Sequence, residues 1–158
     1  MGGGVGGVGG SGPVYFNPAG DPDPKQQAYK ISGDLVSEAK SRVDLQEKIN
    51  SLEDRIKGLD VQIEAAEKAG DTGKVLQLRV TRDECMNKIS MIKLKDLPLI
   101  DDKIDKLLIN LSNVYSQLKP EDKATVDSIK NAFANRDQIN EQTIVDLTDF
   151  HDKLNPNP

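Results

Sequence analysis

The sequence predicts an all-α protein: an antiparallel coiled-coil helical hairpin with further helices packed on it, and a disordered Gly/Pro-rich N-terminus. Three observations predict it. Apolar residues recur at alternating steps of three and four along most of the chain. Eight of the 13 glycines fall within the first twelve residues, and four of the eight prolines (Pro13, Pro18, Pro22, Pro24) follow at once. No segment shows the period-two alternation of a half-buried strand.

Residues 1–26 have high backbone entropy and almost nothing to bury, so they are expected to form a disordered arm. The start has neither the basic n-region nor the apolar run of a secretory signal peptide. It opens Met1-Gly2, but Gly6 stands where a myristoylation signal needs Ser or Thr. No stretch approaches the roughly 20 apolar residues of a membrane span.

Residues 27–118 read as the long hairpin with a third helical segment. Leu45, Ile49, Leu52, Ile56, Leu59, Ile63 and Ala66 are spaced 4, 3, 4, 3, 4, 3, which places all seven on one seam of a helix. Upstream, Val36, Ala39 and Val43 keep the spacing in a shifted phase. The helix is therefore expected to begin near Ala28 or Ile31, with a stutter around residues 43–45. Ala69-Gly70-Asp71-Thr72-Gly73-Lys74 interrupts the pattern. Gly70 suits the residue past a helix end, and Asp71 or Thr72 suits the cap of the next helix. A phosphate-binding loop is excluded there. Gly70 precedes Gly73 by only three residues, Val75 follows Lys74, and no strand leads in. On the second helix, Val75, Leu78, Arg82, Cys85, Ile89 and Ile92 keep the same rule. Pro98 is expected to kink or break it. Beyond Pro98, Ile100, Ile104, Leu107, Leu111, Val114 and Leu118 form the most apolar stripe of the chain, widened by Leu108 and Tyr115.

Residues 119–158 read as short helices and a tail. Lys119-Pro120-Glu121-Asp122 puts proline at a first helical position and two acids in the first turn, where the helix dipole favours them. Val126, Ile129 and Phe133 form one short stripe. Ile144, Leu147, Phe150 and Leu154 form another after a polar break from Asn135 to Asn140.

Charge sorts by segment. The chain carries a net −5, but residues 25–118 balance to zero. Acid precedes base by four residues at Glu38–Arg42, Asp44–Lys48, Glu53–Lys57, Glu64–Lys68, Glu84–Lys88 and Asp102–Lys106. Each such pair supports a helix by about 0.2–0.5 kcal/mol. A balanced, mildly acidic surface without a basic cluster argues against nucleic-acid binding.

Catalytic and metal chemistry find little to work with. One Cys and one His exclude a self-contained zinc finger or a disulfide scaffold. His151 follows Phe150 at the edge of the last stripe and reads as a half-buried helix residue. Asp149 and Asp152 beside it do not make a metal site. Cys85 falls on the seam and reads as a buried structural thiol. Asp101, Asp102 and Asp105 resemble a calcium loop only superficially, because the segment is periodic helix and lacks the turn glycine. The di-metal motif of helical bundles needs Glu-x-x-His, and Thr148 stands three residues before His151. Arg82 on an apolar seam is the kind of polar residue that fixes register at a cost in stability. The expectation is no enzyme, no cofactor and no metal.

The run Asp122-Lys123-Ala124-Thr125-Val126-Asp127-Ser128-Ile129-Lys130-Asn131-Ala132-Phe133-Ala134-Asn135, with the following Asn140 to Asn155, resembles the C-terminal half of the EspA-like secreted proteins, the translocon-filament and needle-tip components of type III secretion systems. About a fifth of the chain carries the resemblance. It implies an export signal in an unstructured N-terminus and long helices that drive self-assembly or chaperone binding. The long final helix by which such filament proteins polymerise has no counterpart before Pro158, so filament formation is not part of the expectation.

The functional expectation is a non-enzymatic coiled-coil interaction component, a bacterial secretion-associated structural or translocator/tip protein. It would be cytoplasmic before export and secreted without a cleaved signal peptide. The alternative is a phage or viral virion component anchored by its glycine-rich arm. In either case a protein partner, or a second copy in a homo-oligomer, meets the helical seams. The residues expected to carry this are Leu45, Ile49, Leu52, Ile56, Leu59 and Ile63 on one helix, and Val75, Leu78, Arg82, Cys85, Ile89 and Ile92 on the other.

Overall fold

The computed structural model describes residues 23–157, and within them the chain is helical with no strand. The arm expected over residues 1–26 lies outside the described residues as far as residue 22. Helix α1 spans Pro24–Lys68, earlier and longer than the expected start near Ala28 or Ile31. Pro24 explains the early start. At the first helical position its missing N–H is not needed and its φ is already helical. The first helical hydrogen bond then runs from the Gln27 N–H to the Asp23 carbonyl. No break marks the expected stutter near residues 43–45.

The end of α1 is built by Gly70, whose φ of 73° lies in the left-handed region that favours glycine. The Asp71 N–H reaches back to the Ala66 carbonyl and the Gly70 N–H to that of Glu67, both closing carbonyls that the helix end would leave bare. Asp71 then caps helix α2, Thr72–Met91, its carboxylate accepting from the Lys74 N–H at 3.1 Å.

The chain neither stops nor turns at Pro98. Five residues, Ile92–Asp96, form a single π-helical turn, and helix α3, Leu97–Tyr115, continues directly from it. The Leu97 N–H bonds the Ile92 carbonyl, five residues back. The widened turn accommodates Pro98, which lacks the N–H that would bond Leu94 and whose ring would crowd that carbonyl. It also absorbs one residue of the apolar repeat. Ile92 and Ile100 are both buried although eight positions apart, not seven.

Helix α4, Pro120–Ala132, opens as the sequence indicates, with Pro120 in its first turn beside Glu121 and Asp122. Asn135 begins a single 3-10 turn, Arg136–Gln138. Helix α5, Glu141–Lys153, is held by a reciprocal cap. The Asn140 side chain accepts from the Thr143 N–H, and Thr143 Oγ1 accepts from the Asn140 N–H.

The helices form two compact units that are not consecutive in sequence: Met1–Ala39, in its described part, together with Ile104–Pro158, and Lys40–Lys103. The first unit buries Ala28, Leu35, Val36 and Ala39 of α1, Ile104, Leu111 and Val114 of α3, Val126 and Ile129 of α4, Leu147 of α5, and Leu118, Phe133, Ile139 and Leu154 between or just after the helices. Truncating a fully buried Leu or Ile of this kind to Ala costs about 2–5 kcal/mol. Lys25 reaches the buried Asp122 at 3.7 Å, and Arg136 reaches Asp105 at 2.6 Å. The Tyr115 hydroxyl donates to Asp127 at 3.1 Å. That hydrogen bond, then burial, then the negative charge of Asp127, hold the Tyr115 pKa above its usual value.

The second unit buries Val43, Ile49, Leu59, Ile63 and Ala66 of α1, Val75 and Cys85 of α2, Ile92 and Ile100. Arg42 is buried here too and binds Asp101 through both ends of its guanidinium, Nε at 2.9 Å and Nη2 at 3.4 Å.

Candidate interaction surface

All twelve residues of the expected seam belong to the second unit. Ile49, Leu59 and Ile63 are buried on α1, and Val75, Cys85 and Ile92 on α2 and the π turn. Ile63, Ala66 and Val75 form one cluster, with Leu78 packed against it. Leu45, Leu52 and Ile56 on α1, and Leu78, Arg82 and Ile89 on α2, are half-buried. Two ion pairs cross between the helices, Glu67 with Arg79 and Asp60 with Arg82, both at 3.1 Å. As the number rises on α2 it falls on α1. Arg82 thus meets a carboxylate across the helix pair and keeps its charge near solvent.

Two features of this unit were not foreseen. The first is a groove flanking the seam. Leu45 and Leu52 of α1 and Met91 and Ile92 line one stretch of it, with Asn87, Lys48, Lys88 and Asp96 around them. Leu45, Lys48 and Asp96 also line a second stretch, with Leu99, Ile100, Ser41 and Asp44. Half-burial of Leu45 and Leu52 is the mark of this groove on the seam itself.

The second is an apolar stripe on the outer face of α2. Leu76, Val80, Met91 and Leu94 are 63%, 60%, 55% and 80% exposed. At about 100° per residue Leu76, Val80 and Met91 lie on the side of α2 opposite Val75, Leu78, Cys85 and Ile89, and Leu94 follows in the π turn. The outer side of this segment thus carries exposed apolar residues toward its two ends and the exposed Asp83, Glu84, Asn87 and Lys88 between them. Single exposed apolar residues are ordinary, and here four of them stand on the segment from Leu76 to Leu94. In the sequence these four are spaced 4, 11 and 3, with Asp83, Glu84, Asn87 and Lys88 between Val80 and Met91, so no continuous apolar progression announced them.

Of the residues weighed for chemistry, Cys85 is buried. His151, in the first unit, stacks on Tyr29 with ring centroids 4.2 Å apart and planes 6° from parallel. Its Nδ1 lies 2.7 Å from Ser32 Oγ. The geometry is close to a Ser–His pair, on a buried serine. Ser32 is buried and gives its one hydroxyl proton to the Tyr29 carbonyl at 2.8 Å, within its own helix. Where Nδ1 carries the ring proton His151 donates to Ser32 Oγ, and in the other tautomer Nδ1 is an acceptor. Asp101 and Asp105 pair with Arg42 and Arg136, and among the described residues no three His, Cys, Asp or Glu side chains cluster as metal ligands. No helix among the described residues is long and apolar enough to cross a membrane.

No protein-family model, curated protein or solved structure matches the chain.

Proposed function

We propose that the protein is a non-enzymatic helical interaction component that acts through its second unit, where α1 and α2 pair as an antiparallel coiled-coil hairpin. The 3/4 spacing on both helices, the cluster at Ile63, Ala66 and Val75, and the crossed ion pairs of Arg79 and Arg82 support the hairpin. The open stripe of Leu76, Val80, Met91 and Leu94 carries the functional reading. A helix that already fills one face within the chain offers the other to a partner. The narrower reading, a bacterial secretion-associated structural or translocator/tip component that takes no cofactor, rests on the resemblance of residues 122–135 and 140–155 to the EspA-like proteins.

Site-specific photo-crosslinking in the source cells tests the interaction reading. A benzophenone side chain at Leu76 or Leu94 of the full chain is expected to yield a discrete protein adduct, and one at the exposed Lys57 is expected to yield none. Absence of any adduct from both α2 positions would overturn it. The narrower reading requires export of the chain that stops when the secretion ATPase is deleted.

A further inference from the structure

We infer that the outer face of α2 is the interface of an antiparallel homodimer whose twofold axis passes at the level of Cys85. This rests on the reading of that face as an interaction surface, and it names the partner as a second copy of this chain.

In a twofold interface, residue i meets residue j and residue j meets residue i, so the face must be symmetric about the axis. The α2 stripe has that symmetry. Leu76 and Leu94, Val80 and Met91, and Asp83 and Asn87 each straddle residue 85 to within half a position. With two helices antiparallel, Leu76 of one copy meets Leu94 of the other and Val80 meets Met91. All four side chains are more than half exposed in the single chain. At the centre, the Asp83 carboxylate accepts from the Asn87 amide of the second copy, and the axis makes this bond twice.

Charge selects the direction. In an antiparallel pair, like flanks of the two helices face each other, so Glu84 lies beside Lys88 of the second copy. A parallel pair in register would set Asp83 against Asp83 at the middle of the interface, which is unfavourable. An unrelated partner would place no demand for symmetry on the stripe.

Light scattering on the full chain across a concentration series is expected to show a mass rising from 17.3 kDa toward twice that value. Leu94→Asp is expected to weaken dimerisation on the order of tenfold, as loss of an apolar contact at the end of the interface does. Direction is read by disulfide formation in a Cys85→Ala background. Leu76 and Leu94 lie about 27 Å apart along one helix, too far to be bridged within a chain. The double variant Leu76→Cys with Leu94→Cys is expected to link two chains, and Leu76→Cys alone is expected not to.

A monomer at every concentration, or efficient linking through Leu76→Cys alone, would overturn the inference. A monomer that still gives a photo-adduct with another protein at Leu76 would sink the homodimer and leave the interaction reading standing.

Discussion

Gly33 and Gly58 are both helical glycines of α1, and only one of them has a reason to be glycine. A Cβ on Gly58 would meet nothing within 4 Å, whereas a Cβ on Gly33 would come within 3.0 Å of His151 Cε1. Alanine is favoured over glycine in a helix by about 0.8–1.0 kcal/mol. Gly58→Ala is therefore expected to raise stability by roughly that amount in thermal unfolding. Gly33→Ala carries the same gain but must displace a ring held from two sides, by Tyr29 through stacking and by Ser32 through a hydrogen bond. The net expected effect at Gly33 is a loss of stability, so the two variants should move the melting temperature in opposite directions. Equal shifts would show that His151 moves aside freely.

Individual elements end where local chemistry tells them to. The turn between α1 and α2 is legible residue by residue. Gly70 supplies the left-handed residue, Asp71 supplies the cap, and both act within six positions of chain. Asp71→Ala is expected to cost about 1 kcal/mol, the usual price of a lost N-cap. Asp71→Asn, which keeps a side-chain oxygen for the Lys74 N–H, should recover most of it, as read from urea unfolding. Pro98 was less legible. The expectation of a kink or break follows from the missing N–H alone. The π turn is visible only when the phase of the apolar residues is followed across it, from Ile92 to Ile100. Proline and the extra residue are compatible because one widened turn answers both.

At the scale of the molecule, what was legible was local and what was missed was long-range. The 3/4 seams indicated helices and their inward faces because periodicity is a property of neighbours in sequence. The pairs that tie distant segments leave no such trace. Asp101 reads as one acid in a solvated cluster, yet it meets Arg42, 59 positions away. His151 reads as an ordinary helix residue, yet it sits on Tyr29 and Ser32 near the other end of the chain. The outer stripe of α2 was missed for another reason. One seam is enough to account for a helix, and Leu76, Val80, Met91 and Leu94 are too widely and unevenly spaced to read as a second one.

The Arg42–Asp101 pair gives this contrast an energetic test. Arg42 is nearly fully buried, while about a third of the Asp101 side chain remains open to solvent. Taking a guanidinium out of water is costly, and its carboxylate partner offsets that cost only while it is present. Asp101→Asn removes the carboxylate charge that faces the buried guanidinium and is expected to lose about 1–3 kcal/mol. Arg42→Met removes the charge altogether and keeps a long apolar stem in the same space, so it is expected to stay within about 1 kcal/mol of the parent. The double variant should then resemble Arg42→Met rather than the sum of the two, because with no buried cation the asparagine leaves nothing uncompensated. Urea unfolding of the three variants decides it. If Arg42→Met proved the more damaging single change, the guanidinium would be contributing net stability, not a charge that Asp101 merely offsets.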